Sequence, residues 1–304
     1  MATGFQRAKR TAVSIILCFV LLALIHLVLP YLRSHHKSKQ FVAIVVPSRS
    51  EGTWQKPQDA SLVNSLLPSL SQSLTAQDLM KFSVEVIVVF DTGDQFWEKP
   101  GIRKRIDDIV HIPVHYLSVA KSTRIPHNEG CRAAYELGAD YIVRVNDDTQ
   151  FKGSGWLGNA VKALNEFVPA GLGVVGPTCR QGNTNILTHD MVHRTHLDIF
   201  DEYYPVEFDN WYLDDWITLV YGDSHTKKLQ PEEWEVLHTQ TYGTRYTPDE
   251  SKAELMSGIL IRSKQSIIDF LTLKRRKQRP LVLRNTTLVK FHSTRRKVPI
   301  TGFL

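Results

Sequence analysis

The fold is decided by residues 141–148 of the chain, Tyr-Ile-Val-Arg-Val-Asn-Asp-Asp. The first five residues form a short, largely apolar run, which is typical of a strand buried on both faces of a parallel sheet. The run then ends in an amide and two carboxylates. Two similar runs come earlier, at residues 41–46 and 84–90, and polar residues follow each of them. The three runs therefore predict three buried strands with polar side chains at their carboxyl ends.

Helical patterns alternate with these strands, over residues 59–81, 129–137 and 156–167. Pro68 predicts a break in the first helix, whereas Asn128 is a predicted N-cap and Gly138 a predicted stop for the second. A short strand is predicted at residues 173–176. Such alternation predicts an α/β fold with a mainly parallel central sheet and flanking helices, in which ligands bind beyond the carboxyl ends of the strands.

The N-terminal part of the chain predicts a membrane anchor. Residues 11–32 are almost wholly apolar, and a helix needs ~20 such residues to cross a bilayer. The small residues of a signal-peptide cleavage site do not follow them. We expect a tail at residues 1–10, an uncleaved anchor at 11–32, a stem at 33–40 and a folded domain at 41–304. Basic residues flank the anchor on both sides, so charge alone leaves its orientation open.

The net charge of +6 does not indicate a nucleic-acid-binding protein, because basic residues cluster near the chain ends, at residues 7–10 and 274–279. We interpret these clusters as a membrane-flanking tail and a solvated patch. Outside the apolar run, Cys131 and Cys179 form either one disulfide or two buried thiols. Asn285 begins an N-glycosylation sequon, which matters only if this part of the chain is luminal.

Asn146, Asp147 and Asp148 predict a cation site. Adjacent acids at the carboxyl end of a buried strand can hold a hard divalent cation, which in turn binds a diphosphate. The alternative is a strand-to-loop turn in which the acids cap backbone N–H groups. Because two other strands also end in polar residues at the same edge of the sheet, we favour the cation site.

Three segments, residues 45–49, 88–91 and 141–148, resemble the opening of a glycosyltransferase domain of the A-type, Rossmann-like fold. The resemblance implies that a UDP- or GDP-sugar is contacted by Pro47, Ser48, Arg49 and Asp91. It also implies that Asp148 is the firmest ligand of Mn²⁺ or Mg²⁺, with Asp147 or Asn146 as its neighbour on the cation and diphosphate. Residues 124–130 resemble the family segment before the metal motif, which implies donor contacts from Arg124 and Asn128.

Residues 210–216, Asn-Trp-Tyr-Leu-Asp-Asp-Trp, resemble the tryptophan-plus-acids acceptor motif of inverting members of this family. In that motif an acid deprotonates the acceptor hydroxyl, since an alcohol is a poor nucleophile until a carboxylate takes its proton. The resemblance implies Asp215, or alternatively Asp214, as this base. The other interpretation is the start of an amphipathic helix with acids in its first turn, which the helix dipole favours.

Residues 187–221 resemble a group of eukaryotic glycosyltransferase-like proteins, and they include three histidines, His189, His193 and His196, at a spacing that would share a helix face. A zinc protease is the rival hypothesis, because two of these histidines approximate its motif. Asp190 stands where that motif requires a glutamate base, so we favour a structural or acceptor-lining role.

Two further site residues follow from the resemblance alone. Many A-type glycosyltransferases complete the metal shell with a histidine late in the chain, which implies His238 here, and Arg245 is the corresponding candidate for a diphosphate contact. The alternative for His238 is a structural histidine.

The motifs and the resemblance together predict a metal-dependent glycosyltransferase that moves a sugar from a nucleotide-sugar to a hydroxyl of a glycan, glycoprotein or glycolipid, and the resemblance implies that the reaction inverts the anomeric centre. Its domain is expected to be luminal, on a single-pass type II protein of the Golgi or endoplasmic reticulum membrane. The alternative is a membrane-anchored carbohydrate-binding or scaffolding protein on a catalytically inactive domain of the same fold.

Overall fold

The structure is a computed structural model that describes residues 39–50, 52–238 and 250–278, except for the side chains of residues 275–278. Its strands are β1 (Gln40–Pro47), β2 (Phe82–Asp91), β3 (Val114–Val119), β4 (Tyr141–Arg144), β5 (Thr149–Lys152), β6 (Val174–Gly176), β7 (Thr178–Cys179), β8 (Asp190–His193), β9 (Thr226–Lys228) and β10 (Glu235–His238). Its α-helices are α1 (Leu67–Ser73), α2 (Ala76–Lys81), α3 (Ile102–Asp107), α4 (His127–Glu136), α5 (Trp156–Glu166), α6 (Thr195–Ile199), α7 (Leu213–Val220) and α8 (Leu255–Gln278).

The central sheet has the strand order β3-β2-β1-β4-β8-β6-β9. β1 pairs in parallel with β2 and β4, β2 pairs in parallel with β3, and β6 pairs in parallel with β9. β8 is the exception, since it runs antiparallel to β4 and β6. β5, β10 and β7 form a second, smaller sheet. The predicted α/β fold with a mainly parallel central sheet is confirmed.

The three predicted strands lie side by side, with β1 between β2 and β4. Alternate residues of β1 enter two separate core layers. Val42, Ile44 and Val46 pack in the layer that contains α1 and α5, whereas Ala43 and Val45 pack in the layer that contains α4 and α7. Because helices cover both faces, every residue of the strand interior is apolar, as the sequence pattern requires.

Three strands of the central sheet were not predicted, β3, β8 and the three-residue β9. β3 lies at the edge of the sheet, and its residues are half-buried or exposed, so the strand carries no continuous apolar run. β8 begins with Asp190 and ends with His193, and only two apolar residues lie between them. The polar side chains at its two ends contact residues that are distant in the sequence. A pattern of neighbouring residues does not reveal such partners.

The predicted helix break at Pro68 is wrong. Pro68 lies in the first turn of α1, directly after a π-helical turn at Leu62–Leu66, where the Leu67 N–H bonds to the Leu62 carbonyl. Since proline has no N–H to donate, the wider turn lets the chain continue without the missing bond. The break comes instead after Leu74, where the Thr75 side chain accepts a hydrogen bond from the Asp78 N–H and starts α2.

The predicted N-cap at Asn128 is also wrong. α4 begins one residue earlier, at His127, and Pro126 precedes it. Asn128 lies in the first turn, and its amide binds another segment: Nδ2 donates to the Tyr204 carbonyl at 2.9 Å, and Oδ1 accepts from the Tyr204 N–H at 2.8 Å. The side chain therefore joins α4 to the loop before α7.

The two cysteines of the folded part are buried free thiols and do not form a bridge. They lie in different core layers, Cys179 with α5 and Cys131 with α4. Among the described residues, no helix is long and apolar enough to cross a membrane. The predicted anchor at residues 11–32 lies outside the described residues, as do Asn285 and Arg245.

We expect Gly130→Ala to destabilise the fold, because α4 packs directly on the central strands at Gly130. A Cβ there would lie 2.6 Å from methyl carbons of both Val45 and Val89. Overpacking of this kind costs about 1–3 kcal/mol, measurable by urea denaturation. Gly158→Ala in α5 is the matched control, since its Cβ would meet Asp78 Oδ1 at 3.4 Å and helix propensity favours alanine. Equal effects of the two substitutions would contradict the close packing.

Candidate active site

The carboxyl ends of β1, β2 and β4 meet at one edge of the sheet and bring together the polar residues that follow them. Pro47 is the last residue of β1, and the Ser48 N–H donates to the Val89 carbonyl of β2 at 2.8 Å. The Ser48 hydroxyl donates to Asp147 Oδ2 at 2.8 Å. Asp147 is fully buried, so it ties the end of β4 to the end of β1.

Asp148 and His238 form the centre of the site. His238 Nε2 lies 3.0 Å from Asp148 Oδ1, and the Asn146 amide nitrogen lies 3.4 Å from the same imidazole nitrogen. The pairing of the small sheet explains this contact: β10 runs antiparallel to β5, and His238 stands opposite Thr149, the residue after Asp148. The structure thus brings together two residues that are 90 positions apart and that the sequence assigned to one metal shell.

The Asp148–His238 spacing is compatible with a shared divalent cation. The 3.0 Å distance is that of a direct ion pair, and it also equals the separation of two ligand atoms at about 2.1 Å from one ion and at right angles. The described residues contain no group of three or more His, Cys, Asp or Glu side chains that could hold a metal ion. A site with one carboxylate and one imidazole suits a cation that keeps its other positions for substrate phosphates and water.

A cleft of about 440 Å³ opens at the carboxyl ends of β1 and β2 and is lined by Arg49, Ser50, Gly52, Asp91, Thr92, Gly93, Asp94, Gln95 and Lys121. Arg49 is held by two acceptors: Nε and one terminal nitrogen each lie 2.7 Å from Asp91 Oδ2, and the same terminal nitrogen donates to the Ser122 carbonyl at 3.1 Å. Two of the predicted nucleotide contacts, Arg49 and Asp91, therefore form one ion pair in the wall of the cleft.

Asp94 is a residue of this cleft that the sequence analysis missed. Its carboxylate accepts hydrogen bonds from the N–H and hydroxyl of Ser50, at 2.9 and 2.7 Å, and from the N–H groups of Phe96 and Trp97. Asp94 therefore fixes the loop after β1 against the loop after β2. The signal was present as an aspartate behind Gly93, since aspartate in a turn often binds the backbone two or three residues on.

Arg124 and Asn128 lie against the segment before α7. Arg124 donates to the Val206 carbonyl at 2.6 Å and approaches Asp209 at 3.6 Å. Both groups of the Asn128 amide are bonded to the Tyr204 backbone. The structure thus places these two residues where they hold a loop, and their contact with a nucleotide-sugar stays a prediction.

Asp214 and Asp215 both lie in the first turn of α7, as the helix-start interpretation expected. Asp214 Oδ1 lies 2.6 Å from a terminal nitrogen of Arg144, and its side chain is 35% exposed. Asp215 is half-buried, and burial raises its pKa. The helix-start interpretation and the catalytic one are compatible, since a carboxylate in a first turn can still face a substrate.

Arg144 is the second important residue that the sequence analysis missed. It ends β4, it is 3% exposed, and its guanidinium contacts Asp190, Tyr204, Thr188 and Asp214. A single arginine in an otherwise apolar strand was the available signal, because a buried charge requires a partner. Nothing in the sequence indicates which acids are those partners.

The prediction that three histidines share a helix face is wrong. His193 ends β8, His189 precedes that strand, and His196 lies in α6. His189 Nε2 bonds to Thr149 Oγ1 at 2.8 Å, and the His196 ring bonds to the Tyr221 hydroxyl and the Tyr203 carbonyl. These separate partners leave no common zinc site, in agreement with the structural role that we favoured.

We expect the free energy of unfolding to fall as the pH drops from 7 to 5. Burial lowers the pKa of His196 to about 4, and it also lowers the pKa values of His127 and His189. The unfolded chain therefore binds more protons than the folded chain between pH 4 and 6.5, so acid favours unfolding. His196 alone contributes about 2 kcal/mol of this loss at pH 5.

Urea denaturation at several pH values measures this dependence. His196→Gln should flatten the slope between pH 5 and 7 by removing one titrating group whose pKa burial lowers to about 4. An identical slope in the wild type and in His196→Gln would contradict the neutral, buried state of His196.

No protein-family model matches the sequence, and no curated protein matches it. Among solved structures, the chain is similar to the mannosyltransferase PcManGT from Pyrobaculum calidifontis in complex with GDP-Man and Mn²⁺, with a TM-score of 0.50 and 16% identity over 74% of this chain and 68% of that one. It is also similar to S. aureus TarS 1–349, with a TM-score of 0.45 and 14% identity over 66% of this chain. The chain spans only 60% of that TarS structure.

The strand order, the position of the acidic motif after β4 and the similarity to the mannosyltransferase structure identify the fold. The chain has the nucleotide-sugar glycosyltransferase fold of the A-type. At 16% identity this likeness concerns the fold, and the reaction has to be argued from the residues of the site.

Proposed function

We propose that the chain is a metal-dependent glycosyltransferase that moves a sugar from a UDP- or GDP-sugar to an acceptor hydroxyl. The observation that carries the proposal is the Asp148–His238 contact of 3.0 Å after the carboxyl end of β4, at the same edge of the sheet as a cleft of about 440 Å³ beyond β1 and β2. In open α/β sheets, ligands bind at this edge. The mannosyltransferase of similar fold was solved with GDP-Man and Mn²⁺, which supports a sugar nucleotide and a divalent cation here.

In this proposal Asp148 and His238 would hold Mn²⁺ or Mg²⁺, and Asn146 lies beside the pair, with its amide nitrogen 3.4 Å from His238 Nε2. The bound cation neutralises charge on the diphosphate and so improves it as a leaving group. Asp147 keeps the motif in place through its hydrogen bond from Ser48. Arg49 and Asp91 contact the nucleoside in the cleft, where they already form the wall.

The acids of α7 supply the base. Asp215 or Asp214 accepts the proton of the acceptor hydroxyl while the acceptor oxygen forms a bond to the anomeric carbon and the bond from that carbon to the diphosphate breaks. The nucleoside diphosphate leaves, and a single displacement inverts the anomeric centre. We further propose that the acceptor is a glycan, glycoprotein or glycolipid and that residues 11–32 anchor a luminal domain in the Golgi or endoplasmic reticulum membrane.

The test is the release of nucleoside diphosphate by the purified full-length chain. The protein is incubated with a panel of UDP- and GDP-sugars, with Mn²⁺ and, in parallel, with a chelator. The proposal predicts release from one donor class only with the metal. An absence of both binding and release with every donor would instead favour the inactive carbohydrate-binding alternative, which the asparagine at the first position of the metal motif also suggests.

A further inference from the structure

Arg144 connects the strand that carries the metal motif to the helix that carries the candidate bases. It is the last residue of β4, two positions before Asn146, and it is 3% exposed. Its Nε donates to Asp190 and Tyr204, one terminal nitrogen donates to the Thr188 carbonyl, and the other contacts both Asp190 and Asp214. A planar guanidinium spreads its N–H donors over three nitrogens in a fixed fork, so it can reach several separated acceptors at once, whereas an ammonium group carries all its donors on one nitrogen.

Asp190 is the main counter-ion of Arg144. Asp190 is fully buried, and its Oδ2 lies 2.7 Å from a terminal nitrogen and 3.0 Å from Nε of the arginine. It also accepts hydrogen bonds from the hydroxyls of Tyr203 and Tyr204. The charge of Arg144 is therefore already balanced inside the protein before Asp214 is considered.

Asp214 is the second carboxylate of this cluster, and it differs from Asp190 in being accessible. Only its Oδ1 contacts Arg144, and 35% of its side chain is exposed. The cluster contains one cation and two carboxylates, so it carries one excess negative charge. A proton on Asp214 would neutralise the cluster as a whole. Burial raises the pKa of Asp214 and the charge of Asp190 adds to this, although Arg144 opposes them.

The backbone before α7 supports a fixed orientation of this carboxylate. Tyr212, the residue before the helix, has φ of 65°, and it is the one non-glycine residue with a positive φ among the described residues. Such a conformation costs free energy and persists where the surrounding contacts enforce it. Asp215 is rotated by about 100° from Asp214 around the helix, so the two carboxylates point in different directions.

We infer that Asp214 is the group that takes the acceptor proton and that Arg144 is its positioning residue. The inference rests on the proposed function and chooses between its two candidate bases. Arg144 is the last residue of the strand that residues 146–148 follow, and it contacts one carboxylate oxygen of Asp214, which leaves the other oxygen to accept the proton. The protonated Asp214 releases this proton to solvent after the nucleoside diphosphate has left.

The test compares Asp214→Asn with Asp215→Asn in the full-length chain, using the turnover and the affinity for the donor identified with the wild type. We expect Asp214→Asn to lower kcat by about 10²–10⁴-fold with little change in donor affinity, which is the usual contribution of a general base. Asp215→Asn should lower kcat by less than about tenfold. Asp223→Asn, at an exposed position after α7, is the matched control.

The pH profile tests Arg144. In Arg144→Lys the shorter, compact ammonium cannot reach Asp190 and Asp214 together. Because Arg144 lowers the pKa of Asp214, loss of this contact should move the acid limb of the kcat–pH profile to higher pH. A purely structural role would lower kcat at all pH values without moving the limb. If this variant does not fold, the pair of asparagine variants still decides the assignment of the base.

The possible failures are distinguishable. A wild-type chain that neither binds nor turns over any donor overturns the proposed function and this inference with it. A wild-type chain that turns over, with Asp215→Asn as the inactive variant and Asp214→Asn active, overturns the inference alone. If the acid limb of the kcat–pH profile is the same in a folded Arg144→Lys protein as in the wild type, Arg144 does not position Asp214.

Discussion

Asp148→Asn is expected to lower the rate of nucleoside diphosphate release on the order of 10³-fold. Asn keeps the shape of the side chain but removes the negative charge that faces His238 at 3.0 Å. Stabilisation of the leaving diphosphate by a cation amounts to several kcal/mol, and each 1.4 kcal/mol corresponds to about tenfold in rate. The rate is measured with the donor that the wild-type chain uses, over a range of Mn²⁺ concentrations.

Two measurements distinguish a loss of cation binding in Asp148→Asn from a loss of folding. Asp223→Asn makes the same chemical change at an exposed acid and should retain the wild-type rate. Raising the Mn²⁺ concentration should recover part of the Asp148→Asn activity, because His238 and the donor diphosphate still offer ligands. A variant with the full rate at low Mn²⁺ would show that Asp148 does not hold the cation.

Arg144→Met is expected to have the largest effect on stability, about 3–5 kcal/mol. The substitution leaves Asp190, which is fully buried, without its cation. Removing one partner of a buried ion pair is costly because the remaining charge has lost both its solvation and its counter-ion, and the Tyr203 and Tyr204 hydroxyls alone do not replace them. Urea denaturation followed by circular dichroism measures the change.

Arg180→Met is the matched control for this loss. Arg180 forms an ion pair of similar length with Glu235, 2.9 Å, but its side chain is 67% exposed, so the pair contributes at most about 1 kcal/mol. The double variant Arg144→Met with Asp190→Asn should recover part of the stability, since it removes the unpaired charge. Equal losses in Arg144→Met and Arg180→Met would contradict the buried network.

The sequence alone was sufficient to predict the three strands at the centre of the sheet. β1, β2 and β4 are covered by helices on both faces, so their apolar runs are continuous and their ends are marked by Pro47, Asp91 and Asn146. β3 and β8 were not predicted because an edge strand and a strand with polar ends lack such apolar runs. The predicted helix break at Pro68 was wrong because a π-helical turn accommodates the missing N–H of proline, and the formation of that turn depends on packing rather than on residue type.

The candidate site was predictable to a similar extent. Asp148 follows from its position after a buried strand, whereas His238 came only from resemblance, because its contact with Asp148 depends on the register of β10 against β5. Asn128 was assigned to the donor, yet its amide is bonded to the backbone of Tyr204. Arg144 and Asp190 were missed because their pairing joins residues 46 positions apart in two adjacent antiparallel strands.

The most direct test of the central claim is a calorimetric titration of the full-length chain with UDP- and GDP-sugars, with and without Mn²⁺. The account predicts binding of one donor class that requires Mn²⁺ and that Asp148→Asn weakens. Donor binding of equal strength in the presence and absence of Mn²⁺, or binding of no donor at all, would contradict a metal-dependent nucleotide-sugar site at Asp148 and His238.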